Sequence, residues 1–114
     1  MASNSKRINF IAEVSANHLG SLDRAKDIVL AAAKAGATSV KFQTYTADTM
    51  TLDIENFKVN DDHELWGGQK LYDLYKAAYT PWEWHEELFN LCKSNNVIPF
   101  SSPFDLSAVA FLES

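Results

Sequence analysis

Three strand-like runs, each followed by a stretch with helical spacing, dictate what this chain can build. Residues 8–15 (INFIAEVS), 38–44 (TSVKFQT) and 97–102 (VIPFSS) are rich in β-branched and aromatic residues, the composition of strands. After the first run, Asn17-His18-Leu19-Gly20 makes a turn and Ser21 can cap a helix, with Asp23 near the positive end of its dipole. Leu22, Ala25, Val29, Ala32 and Ala33 then recur at helical spacing, and Gly36 stands where a C-terminal cap belongs. A strand, a helix and a strand on short connections predict a right-handed βαβ unit with parallel strands. Repetition of that unit predicts an α/β fold, a parallel sheet covered by helices. A doubly wound open sheet and a (β/α)8 barrel share this opening, and both gather functional groups at the C-terminal ends of the strands.

The alternation is interrupted once. Residues 45–79 are too long for a βα loop of ~2–6 residues, so a long insertion follows the second strand. It holds Phe57, Trp66, the pair Gly67-Gly68 and a short helix over 69–79, with Leu71, Leu74, Tyr75 and Ala78 on one face. Thr80-Pro81-Trp82-Glu83 reads as a capping box: Thr80 caps, Pro81 takes the first helical position and Glu83 reaches back. That helix runs to about Ser94 and buries Trp84, Leu88, Leu91 and Cys92. Asp105 caps a last helix over 106–114.

Composition bounds the function. With 46% hydrophobic and 22% charged residues in 114, the chain suits a globular domain that buries about two-thirds of its unfolded surface. A net charge of −5 disfavours nucleic acid as a partner. No apolar run approaches the ~20 residues of a membrane span. The start, Met1 to Arg7, is polar and no signal-type apolar stretch follows it. A single cysteine, Cys92, forms no internal disulfide and fits a reducing cytoplasm.

Polar residues gather at the strand ends. Lys41 and Gln43 lie two apart on the second strand and share a face, in a position where a parallel strand is normally apolar. Such groups need partners or a polar cavity. Glu13 on the first strand stands at a comparable height, and the third strand ends in Ser101-Ser102. One reading is a structural Glu13–Lys41 ion pair with Gln43 as a satisfied neighbour; the other is a site. Asn17 and His18 add an amide and an imidazole at the same rim, although a loop histidine is often only a local hydrogen bonder. His63, amid Asp61, Asp62 and Glu64, reads as part of a solvated acidic face, His85 as structural and Cys92 as a core filler. Tyr72, Tyr75, Tyr79, Trp82 and Trp84 form a stripe that suits packing better than a sugar platform. No histidine pair has ligand spacing, so no metal site is predicted from these residues, and no phosphate-loop or dinucleotide fingerprint is present.

The segments IAEVSANHLGSLDRAKDIVLAAAKAGATSVKFQTYTADTMTL and LWGGQKLYDLYKAAYTPWEWHEELFNLCKSNNVIPFSSPFD resemble the N-terminal region of the sialic acid (nonulosonic acid) synthase family. AE-x-x-x-NH-x-G, KFQT and SSPFD occur in that family's order and spacing, and the resemblance covers nearly the whole chain from Ile8. It implies the N-terminal portion of a (β/α)8 barrel, about three βα units with a long insertion after strand two, followed in such enzymes by a small antifreeze-like domain. A barrel takes ~250 residues, so the chain reads as a part of one, inactive alone. The activity implied is condensation of phosphoenolpyruvate with an open-chain N-acetylated amino-sugar aldehyde, with phosphate release. TYTADTMTLD and YTPWEWH point within the family to a 2,4-diacetamido-2,4,6-trideoxy hexose, with N-acetylneuraminate- or legionaminate-type synthesis as the alternative. By the same resemblance Lys41 would hold phosphoenolpyruvate, Gln43 would bond the sugar and Glu13 would orient water or substrate hydroxyls. Asn17, His18, Ser101 and Ser102 would line or support the substrate site. A divalent metal (Mn, Mg or Co) with ligands elsewhere in the barrel, and a homodimer, are also implied. Leu19 departs from the family, which commonly has asparagine there, and so does Pro99 inside strand three. The readings of another class are a non-catalytic α/β binding module, resting on the aromatic stripe, and an aldolase forming a Schiff base at Lys41.

Overall fold

The computed structural model describes residues 7–114; of the polar start only Arg7 falls within them. The elements are β1 (Ile11–Glu13), α1 (Leu22–Lys34), β2 (Ser39–Thr44), α2 (Ala47–Met50), α3 (Leu71–Ala78), a 3-10 turn (Trp82–Trp84), α4 (His85–Ser94), β3 (Ile98–Pro103) and α5 (Leu106–Glu113). The strands form one parallel sheet in the order β1-β2-β3.

The first βαβ unit forms as its local chemistry dictates. Ser21 Oγ accepts the Arg24 N–H at 3.2 Å, and Asp23 and Lys34 sit at the dipole ends that favour their charges. Past the helix, Gly36 adopts φ 91°, a left-handed conformation that suits glycine, and the N–H of Ala37 closes back onto Ala32 O. Strand one is shorter than the run 8–15 predicts. Val14 N–H still reaches Lys41 O, but Ser15 turns to φ 49° and ends the ladder. At the other terminus, Asp105 accepts the N–H groups of Ser107 and Ala108 and starts α5 as its sequence requires. The Ser107 hydroxyl bond holds that carboxyl below its usual pKa.

The capping box at Thr80 does not form. Pro81 takes ψ 131°, outside the helix, so Thr80 stands too early to cap, and the chain enters α4 through the 3-10 turn. The buried Thr80 hydroxyl bonds His18 instead. Within α4, Leu88 and Cys92 are buried as expected, while Leu91, and Trp84 in the 3-10 turn before it, are only partly so.

The insertion has order that its sequence pattern hid. Lys58 and Lys70 form an isolated antiparallel bridge, and the Lys70 ammonium sits 2.6 Å from Asp53 with Glu55 and Asp73 near 4 Å. These carboxylates raise the Lys70 pKa, the Asp53 hydrogen bond most. Tyr72 donates to Asp48 at 2.9 Å and ties α3 to the short α2.

The two faces of the sheet differ sharply. Val14, Val40 and Phe42 meet Ala25 and Val29 of α1 and Leu88 and Cys92 of α4 in the buried core. Each such large side chain contributes about 1.5–3 kcal/mol on full burial. Burial pushes the Cys92 thiol up to about 11, consistent with a core filler. Lys26 and Glu87 pair across α1 and α4. Among the described residues, the opposite face, with Ile11, Glu13, Lys41, Gln43 and Ile98, carries no helix, and both isoleucines are exposed. Pro99 is accommodated because Ile98 and Phe104 donate to β2, which puts the alternating position of Pro99 on the outer edge.

Candidate active site

In a parallel pair, residues in register share a face, and the register builds a polar row at the C-terminal half of the open face. Glu13 pairs with Lys41 across β1 and β2, and Gln43 pairs with Ser102 across β2 and β3. The Lys41 ammonium lies 3.3 Å from Glu13 Oε1, with side-chain exposures of 29% and 48%. Both groups are therefore reachable from solvent while held by strand backbone. A cation, a carboxylate, an amide and a hydroxyl converge here. This set can bind an anion at Lys41 and orient hydroxyl groups or water at Glu13 and Gln43.

The rim loop between β1 and α1 is a string of tight turns. Asn17 N–H bonds Val14 O, Leu19 N–H bonds Ala16 O, and Ser21 N–H bonds His18 O. Ser15, Leu19 and Gly20 all take positive φ, at 49°, 51° and 73°. Asn17 is exposed at this rim, and its carbonyl accepts Arg24 Nε at 2.7 Å.

His18 departs from the rim imidazole that its position suggests. It is 0% exposed, and both ring nitrogens are engaged. Gly20 N–H donates to Nδ1 at 3.0 Å, so Nε2 carries the proton and donates to Thr80 Oγ1 at 3.1 Å. Trp84 meets the ring edge-on at 5.4 Å. Burial lowers the His18 pKa, which favours this neutral form. No ring nitrogen is left free for a ligand.

Ser101 also requires correction. It pairs with Phe42 and lies on the helix side, so of the two adjacent serines only Ser102 joins the open-face row. Ser101 Oγ lies 2.5 Å from Thr44 Oγ1, and Thr44 Oγ1 lies 2.7 Å from His85 Nε2. His85 Nδ1 faces the Trp82 carbonyl at 3.1 Å and must donate to it. In the neutral ring Nε2 then accepts from Thr44, and Thr44 accepts from Ser101. Burial lowers the His85 pKa against the raising effect of its backbone bonds. Sequence reasoning gave Thr44 no role. The available signal was a threonine on the apolar side of β2, in line with Val40 and Phe42, where a polar group needs a partner.

Among the described residues, no group of three or more His, Cys, Asp or Glu could hold a metal ion. His63 Nδ1 faces the Leu65 and Trp66 N–H groups at 3.3 Å each. The aromatic stripe packs: Trp82 lies on Phe111 at 4.8 Å and donates to Tyr45 O, and Tyr75 meets Tyr45 edge-on.

Residues 28–114 match the NeuB family. The chain is 46% identical over 110 residues to the pseudaminic acid synthase of Campylobacter jejuni, covering 95% of this chain and 32% of that protein. It is 44% identical over 104 residues to the pseudaminic acid synthase of Helicobacter pylori, covering 91% of this chain and 31% of that one. Among solved structures, the N-acetylneuraminic acid (sialic acid) synthetase of Leptospira borgpetersenii superposes with a TM-score of 0.74 at 24% identity, over 93% of this chain and 32% of that chain. The chain thus spans about a third of the length of these relatives. Its fold is the N-terminal portion of a (β/α)8 barrel, three βα units with a long insertion after β2. The open face is the one that faces a barrel's interior.

Proposed function

The chain belongs to the NeuB family, and from that premise we propose that it forms the N-terminal part of the active site of a pseudaminic acid synthase. The enol carbon of phosphoenolpyruvate bonds to the aldehyde carbon of an N-acetylated 6-deoxy amino sugar. Water adds at the carbon bearing the phosphate ester, phosphate leaves with C–O cleavage, and a nine-carbon 2-keto sugar acid remains. The observation that carries the reading is the Lys41–Glu13 pair beside Gln43 on the uncovered sheet face.

Lys41 exchanges Glu13 for an anionic group of phosphoenolpyruvate and stabilises charge that develops there. Glu13, released from that pairing, orients water or a substrate hydroxyl. Gln43 bonds the sugar, Ser102 supports it in the same row, and exposed Asn17 contacts substrate at the rim. His18 and Ser101 act from behind, through the backbone they fix. The divalent metal (Mn, Mg or Co) expected with this chemistry finds no ligand set among the described residues, and no step above runs through it. A homodimer, an antifreeze-like domain beyond the barrel and a cytoplasmic location complete the proposal. No helix among the described residues is long and apolar enough to cross a membrane.

The test is a fusion of this chain to the part of the Campylobacter jejuni enzyme beyond the matched segment. Phosphate release from phosphoenolpyruvate and 2,4-diacetamido-2,4,6-trideoxy hexose is expected, with little from an N-acetylated hexose that keeps its 6-hydroxyl. The opposite sugar preference would favour an N-acetylneuraminate-type synthase. Full activity in a Lys41→Ala fusion would remove the residue that anchors the reading.

A further inference from the structure

The open-face row has a counterpart behind the sheet. His18 bonds Thr80, Tyr45 O accepts the Trp82 indole N–H at 3.1 Å, and His85 accepts from Thr44, which in turn accepts from Ser101. Three of these bonds end on residues 80–85, and the Ser101–Thr44 bond extends them to β3. Three of the four tethered residues are chain neighbours of ones proposed to meet substrate: His18 follows Asn17, Thr44 follows Gln43 and Ser101 precedes Ser102. Side chains alternate along a strand, so pinning Thr44 or Ser101 from behind fixes where Gln43 or Ser102 points in front.

We propose that the Thr80–His85 segment is a positioning clasp that holds the β1–α1 rim loop and the ends of β2 and β3 in one arrangement for substrate. The proposal rests on the active-site reading above. His18, Thr44, Thr80, Trp82 and His85 are positioning residues and touch no reacting atom. The bonds are long-range, His18 and Thr80 standing 62 positions apart and Thr44 and His85 41 apart, so they join rim segments that have no local reason to stay aligned. The clasp leaves no buried side-chain polar atom without a partner among the described residues. A network satisfied in this way is specific, because the His18–Thr80 and Thr44–His85 bonds each require one tautomer of their own ring.

Three measurements test this. Imidazole nitrogen NMR of the 114-residue chain should show His18 as the Nε2–H tautomer and His85 as the Nδ1–H tautomer. Averaged, unfolded-type imidazole signals, or the same tautomer at both sites, would overturn the clasp. Thr44→Val should displace the backbone amide signals of Gln43 and Ser102, and Thr44→Ser should restore them; a packing role would favour the isosteric valine. In the fusion enzyme, Thr44→Val should lower kcat/KM by roughly 10²-fold, the order expected from misplacing a site by about an ångström. Trp82→Phe, which keeps the ring on Phe111 but not the bond to Tyr45 O, should lower it in the same direction. If the unsubstituted fusion releases no phosphate while the tautomers are as stated, the active-site reading fails and the clasp stands as architecture. If it releases phosphate and valine performs as well as serine at Thr44, the clasp fails and the reading stands.

Discussion

Replacing Glu13 by glutamine separates a structural ion pair from a working one. The carboxylate sits 3.3 Å from Lys41, which in bulk water corresponds to about 1.3 kcal/mol of Coulomb attraction. Nearly half of the Glu13 side chain and over a quarter of Lys41 are exposed, so water screens the pair, and holding two flexible side chains together costs entropy. Exposed pairs of this kind contribute a net ~0.2–1 kcal/mol. Glu13→Gln keeps size and hydrogen bonding, so the chain should lose less than ~1 kcal/mol. In urea denaturation with a slope of about 2 kcal/mol/M, the midpoint should move by less than ~0.5 M. The same substitution in the fusion enzyme should cost roughly 10²-fold in kcat/KM, because an oriented group at the reacting centre is lost. The reasoning is refuted by the reverse pattern, a stability loss above about 2 kcal/mol with activity retained. The pair would then be a staple between β1 and β2.

Thr80→Val leaves the buried His18 Nε2–H without an acceptor and should cost about 1–3 kcal/mol in denaturant unfolding, with Thr80→Ser recovering most of it; equal stability of the valine variant would contradict the His18–Thr80 bond. Leu19 holds φ 51° while 73% exposed, so Leu19→Asn should stabilise by up to ~1 kcal/mol by relieving a left-handed backbone, and a lower melting temperature would contradict this. Burial lowers the pKa of His18 and His85 from 6.5, so below pH 6.5 the unfolded chain binds protons that the folded chain refuses. Their contribution should be full above pH 6.5 and decline as the pH falls from 6.5 towards the lowered folded values. Urea midpoints from pH 8 to 5 would check this, and a flat profile would count against it.

The helices and the sheet were legible because their signals are local. Ser21, Gly36 and Asp105 act on backbone within a few residues, and Val29, Val40 and Phe42 declare their faces by spacing alone. Thr80 was misread for the complementary reason. Its capping pattern with Glu83 is a local signal, but the hydroxyl has a partner 62 residues away, and nothing in the spacing announces it. His18 looked like a rim group because the sequence shows that it lies in a loop, not that the loop folds under Trp84. The insertion was opaque because Lys70 orders it through Asp53, Glu55 and Asp73, a contact set without period. Ser101 and Ser102 were separable in principle, since adjacent strand residues face opposite ways.

That alternation has a consequence for how this rim tolerates change. Gln43 and Thr44 are adjacent and both polar, yet one faces an open surface and the other a buried imidazole. A change at Gln43 alters what the surface can bind and leaves the core intact. A change at Thr44 strands a buried acceptor on His85 and frees the Ser101 hydroxyl, so its effect spreads to β3. Specificity can therefore drift at the front positions one residue at a time. The back positions are coupled, and Thr44, His85 and Ser101 can change safely only together.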